Sequence, residues 1–173
     1  MPPKPNPDTP ALGDTVPPTR WGFWRDEDAI FLLVHCVDPD ARKGFSLSAA
    51  PEEQALSTLT ATDSVILRLE PRRLWPSQRF GVTVDGGRLA GEVYDVRVGI
   101  RDDCWQAIIR ISYDVIGAVA TAPGPIRVDV QRNIPSTGGR AREVHHWRSP
   151  HPWLARLRLG ADNPADLGWL VFE

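Results

Sequence analysis

Residues Trp105–Tyr113 read "WQAIIRISY". Trp105, Ala107, Ile109 and Ile111 fall on one side of an extended chain, with Gln106 and Arg110 on the other. Successive side chains of a strand point to opposite faces, so this alternation predicts a strand with one face buried. The period recurs. In "VYDVRVGIR", Tyr94, Val96, Val98 and Ile100 oppose Asp95, Arg97 and Arg101, and in "IRVDVQRN", Ile126, Val128 and Val130 oppose Arg127, Asp129 and Gln131. "SVILRLE" sets Val65, Leu67 and Leu69 against Ile66 and Arg68, and Gly168–Phe172 forms a last strand. "GVTVDGG" predicts a short strand running into a hairpin turn at Asp85-Gly86-Gly87, where glycine suits positive φ. "AIFLLVHCV" (Ala29–Val37) is almost continuously apolar and is closed by "DPD", the pattern of a strand buried on both faces. Helix signal is confined to "PEEQALSTL" (Pro51–Leu59), with proline at its start and acids in its first turn. Many short strands and little helix predict an all-β protein, an antiparallel β-sandwich.

The 173 residues suffice for one domain with a sizeable core. A formal charge of −2 gives no general attraction to nucleic acid or to an anionic membrane, and neither partner is expected. No apolar run reaches the roughly 20 residues of a membrane span. Seven of the first twenty residues are proline, so residues 1–18 are expected to form an extended arm or linker, with a single sandwich domain over 19–173. The start lacks the apolar core of a signal peptide, and as written the chain reads as cytoplasmic; a piece of a larger exported protein would read the same way. Cys36 and Cys104 lack metal-type spacing; two buried free thiols are the expectation, with one inter-strand bridge as the alternative.

The stretch "EVHHWRSPHPW" (Glu143–Trp153) holds three of the four histidines and two of the seven tryptophans. A metal site needs converging ligands, but His145 and His146 are adjacent and point apart on an extended chain. His151 lies beyond Pro150, and no helical His pair or Cys pair accompanies it, so no metal is expected. Ser149 and His146 are ingredients of nucleophilic catalysis, yet no strained nucleophile turn surrounds a serine, and no catalytic residue is assigned. Recognition fits better. An indole desolvates the apolar face of a pyranose ring, and planar Arg and Gln groups match its hydroxyls. The predicted outward faces collect Arg68, Arg97, Arg110, Arg127, Asp129 and Gln131. Taken singly, each is also an ordinary surface residue of an amphipathic strand.

The order of segments resembles a known family. "RWGFWRDEDAIFLLVHCVDPDA", "TDSVILRLEP", "CWQAIIRISYDVIG", "IRVDVQRN" and "VHHWRSP…NPADLGWLVF" are similar, in that order, to the opening, central and closing strands of the family 9 carbohydrate-binding modules and their DOMON-like relatives. The similarity spans Trp21 to Phe172. It implies a non-catalytic β-sandwich whose sugar-binding members clamp a terminal sugar between two tryptophans. Trp147 matches one clamp position, Trp75 is a looser match for the other, and Gln131 aligns with a hydrogen-bonding glutamine. Some members carry structural calcium, for which no cluster of oxygen ligands is visible here. Relatives that hold haem pair methionine with histidine or lysine; the one methionine is Met1 in the Pro-rich arm, so no haem is expected.

The expectation is therefore a module that binds the end of a mono- or oligosaccharide by stacking on Trp75 and Trp147. Gln131, Arg97 and Arg132 are the expected hydroxyl contacts, with His146 on the rim. Seven arginines against Asp129 and Glu143 within Arg127–Arg158 extend this to an acidic sugar. The alternatives are a sandwich that holds a protein partner and a hydrolase whose catalytic groups are not evident.

Overall fold

The computed structural model describes residues 19–38, 52–70, 77–117, 126–135, 143–146 and 168–170. The Pro-rich arm, Trp75, Trp147, Ser149, His151 and Trp153 lie outside them. Among the described residues, eleven strands and two short helices follow in the order β1 (Thr19–Arg25), β2 (Ala29–Val37), β3 (Glu53–Gln54), α1 (Leu56–Ala61), β4 (Ser64–Glu70), β5 (Gln78–Thr83), β6 (Arg88–Leu89), β7 (Asp95–Ile100), β8 (Cys104–Ser112), α2 (Tyr113–Ile116), β9 (Ile126–Ile134), β10 (Glu143–His146) and β11 (Gly168–Leu170). Sheet A runs β1-β2-β8-β7; sheet B runs β10-β9-β4-β5-β6-β3, with β11 also pairing β9. Pairing is antiparallel except between β3 and β6. The protein is an all-β sandwich, as the alternation predicts.

One apolar cluster joins the two inner faces. Ile30, Leu32, Val34, Trp105, Ile109 and Ile111 from sheet A meet Val65, Leu67, Leu69, Phe80, Val82, Val128 and Val130 from sheet B. Each fully buried aliphatic side chain contributes about 1.5–3 kcal/mol, so this interlayer holds the sheets face to face. The turn at Asp85-Gly86-Gly87 forms as expected, with Gly86 at φ 93°. The β1-β2 turn is fastened by Asp26, whose Oδ1 accepts the backbone N–H groups of Asp28 and Ala29 at 2.8 Å each.

Two strands differ from expectation, and both bear on function. β2 is buried on one face only: Leu33 is 40% exposed and Phe31 half-buried, because no described layer covers the outside of sheet A. β4, expected to bury one face, is buried at every residue. Leu59 of α1 lies over Ile66 in a small second core with Leu89, while Arg68 meets a carboxylate from β9. The helix itself starts at Leu56, after Glu53 and Gln54 have paired as a strand with β6. His145 and His146 belong to a strand, β10, that was not among the predicted strands, though their extended backbone matches the reading of adjacent side chains pointing apart.

The cysteines are free and buried. Cys36 pairs in register with Trp105 and Cys104 with Val37, so the two thiols sit on opposite faces of sheet A and cannot be bridged.

Candidate functional site

On the outer face of sheet B, strand register brings four polar residues of β9 against β4. Asn133 lies opposite Ser64, Gln131 opposite Ile66, Asp129 opposite Arg68, and Arg127 opposite Glu70. On the other edge of β9, Val144 pairs with Asn133 and His146 with Gln131. Six groups then link into two networks. Asp129 Oδ2 accepts from Arg68 Nη2 at 2.5 Å and Nε at 3.1 Å, and lies 3.0 Å from His146 Nδ1. Gln131 Nε2 donates to Asn133 Oδ1 at 2.7 Å, and Asn133 Nδ2 donates to Ser64 Oγ at 3.1 Å.

Asp129 is the unusual member. It is 1% exposed, and its Oδ1 is buried without a hydrogen-bond partner among the described residues. Burial acts to raise its carboxyl pKa, but the hydrogen bonds from His146 and Arg68 outweigh that and hold it below the ordinary carboxylate value. The group is thus an ionised acceptor with one oxygen committed and one uncommitted.

Of the residues expected to contact a ligand, Gln131 and His146 stand side by side on this face, both partly exposed. Arg132 does not join them. Its register partner is Val65, a core residue, so the guanidinium points between the sheets and is 1% exposed. There it donates to Asp63 from Nε (3.2 Å) and Nη2 (2.9 Å), and to Thr19 Oγ1 at 3.1 Å. Asp63 also accepts the indole N–H of Trp105 at 3.0 Å. This arrangement makes Arg132 a fold residue and a correction to the expected set. Arg97 is exposed, but on the outside of sheet A, across the core from Gln131. Asn133 is a member that pattern reading missed. Alternation puts Arg68 on the outward side, yet only register shows that it is spent on Asp129. Among the described residues no three of His, Cys, Asp and Glu gather as a metal site, and Asp129 already faces a cation.

No family model and no curated protein matches this sequence. Solved structures do. A family 9 carbohydrate-binding module from Caldicellulosiruptor kristjanssonii in complex with glucose superposes with a TM-score of 0.61 at 16% identity, over 87% of this chain and 74% of that one. The same organism's family 9 module in complex with cellotriose gives 0.59 at 17% identity, over 87% and 72%. A candidate carbohydrate-binding protein from Bacteroides uniformis gives 0.64 at 10% identity, over 91% and 79%. The fold is that of the family 9 carbohydrate-binding modules. At such identities the family 9 likeness is one of architecture, and the roles of individual residues must be argued from their own surroundings. Among the described residues no helix is long and apolar enough to cross a membrane.

Proposed function

We propose that this domain is a non-catalytic carbohydrate-binding module that takes the end of a neutral mono- or oligosaccharide on the outer face of sheet B. The observation that carries this is the pair Gln131 and His146, side by side and partly exposed on that face, with the ionised Asp129 carboxylate behind His146. The Gln131 amide supplies planar donor and acceptor groups that match ring hydroxyls, and the His146 ring, held by Asp129, offers a second polar edge beside it. Trp147 follows His146 directly in sequence and is proposed as a stacking ring, with Trp75 as its counterpart. A neutral sugar is favoured over an acidic one because the arginines described on this face already meet carboxylates: Arg68 meets Asp129, and Arg127 meets Glu70 at 3.5 Å. That the neighbouring structures hold glucose and cellotriose is in keeping with a neutral ligand.

Calorimetric titration with glucose and cellotriose tests this. Wild type is expected to bind one of them, with Trp147→Ala and Gln131→Ala each weakening binding about tenfold or more while the fold persists. No binding of any neutral sugar, or binding indifferent to both substitutions, rejects it.

One observation favours a second reading. His146 and Asp129 form the carboxylate-imidazole pair that orients a general base. No described hydrogen bond joins His146 to a hydroxyl or thiol. Hydrolysis of a glycoside or ester by pure protein, abolished in His146→Ala, would move the protein to the hydrolases.

A further inference from the structure

The outside of sheet A carries a row of residues that are mutual register partners across all four strands: Trp24, Phe31, Arg110 and Asp95. Their side chains stand like upright plates. The Trp24 and Phe31 rings are parallel within 4°, with centroids 5.0 Å apart. The Arg110 guanidinium lies 6.0 Å from the Phe31 centroid and 3.4 Å from Asp95. The neighbouring row is Gly22, Leu33, Ile108 and Arg97. A groove of about 730 Å³ runs beside the plates, and Trp24, Arg97, Ile108 and Arg110 are among its walls. Such a volume falls within the range of small-ligand sites.

We infer that this groove is a second saccharide site, specific for an anionic sugar such as a uronate, on the layer opposite the proposed neutral site. Three observations lead there. First, Trp24 is 41% exposed even though its ring is stacked on one side, so an indole surface remains for the apolar face of a pyranose. Second, three arginines line the groove, and two of them are neutralised within the protein: Arg88 by Glu53 at 2.7 Å and Arg110 by Asp95. Arg97 has no carboxylate partner among the described residues and is exposed, so it is the cation left for a ligand's carboxylate. Third, the space is open. A Cβ built on Gly22 or Gly99, on the same face, meets nothing within 4 Å.

Size decides between a sugar and a protein partner. With the next row, Arg20, His35, Gln106 and Gly99, three rows across four strands cover about 14 Å by 14 Å, or on the order of 200 Å² before side chains are added. A stable protein interface takes about 800 Å² from each partner. Two or three pyranose rings fit this platform; a protein interface of ordinary size does not.

The test is calorimetric titration of the full chain with trigalacturonate and with its uncharged counterpart, galactotriose. Wild type is expected to prefer trigalacturonate by about tenfold. Arg97→Ala should abolish that preference with no change in thermal midpoint, and Trp24→Ala should weaken trigalacturonate about tenfold or more. His146→Ala and Gln131→Ala should leave trigalacturonate binding untouched. Absence of trigalacturonate binding, equal affinity for the two sugars, or binding lost in His146→Ala but kept in Arg97→Ala overturns the assignment. Because the two sites lie on opposite layers, failure here and failure of neutral-sugar binding on sheet B are separate results.

Discussion

Arg132 and Asp63 show how a residue chosen for its chemistry can be claimed by the fold. Both are buried, joined by two hydrogen bonds, with Trp105 supplying a third donor to the carboxylate. Removing one partner leaves a charge in the core. Arg132→Ala is therefore expected to cost about 3–5 kcal/mol in urea unfolding, whereas replacing both members with apolar side chains of similar volume should recover most of that. Asp129 makes a different prediction, through pH. Its native pKa is lowered by His146 and Arg68 against the pull of burial, so the ionised form is the one the fold favours. The stabilisation is complete above about pH 4 and drains away as the pH falls through the lowered native value. Urea midpoints measured from pH 6 down to pH 2 should fall more steeply for wild type than for Asp129→Asn.

At the scale of elements, helix α1 depends on a glycine beneath it. A Cβ at Gly81 of β5 would run into Leu59 Cδ2, and the Tyr94 hydroxyl donates to the Gly81 carbonyl at 2.7 Å. Gly81→Ala is expected to lower stability by about 1–3 kcal/mol, read as a drop in thermal midpoint, with Leu59→Val relieving part of the clash. Most of the strands could be read in the sequence because alternation reports which residues share a face. It says nothing about what covers that face. That is why the apolar run of β2 turned out half uncovered while the mixed sequence of β4 turned out wholly buried. Pairing was equally hidden. Arg68 and Asp129 are 61 positions apart and meet only because β4 and β9 align in one register. β10 was missed for a simpler reason: four residues, two of them histidine, show too few alternations to register as a strand.

Considered whole, the molecule has a largely apolar centre, with the Arg132–Asp63 pair inside it, between two differently furnished outer surfaces. Burial pushes the Cys36 thiol up to about 12, so at pH 8 it is almost wholly protonated. An aromatic disulfide reagent should find neither Cys36 nor Cys104 in the native protein and both after unfolding, with labelling at intermediate urea tracking global stability. The arrangement around β9 has a further effect. One edge of β9 is shared end to end by two short strands, β10 along Gln131–Ile134 and β11 along Ile126–Val128, while its other edge is locked to β4 along seven residues. Each short strand can detach without carrying the other away. Amide protons of β10 should accordingly exchange with solvent deuterium faster than those of β4, through partial opening rather than complete denaturation. His146 rides on that short strip, so the side chains of the proposed site can move while the double layer behind them stays closed.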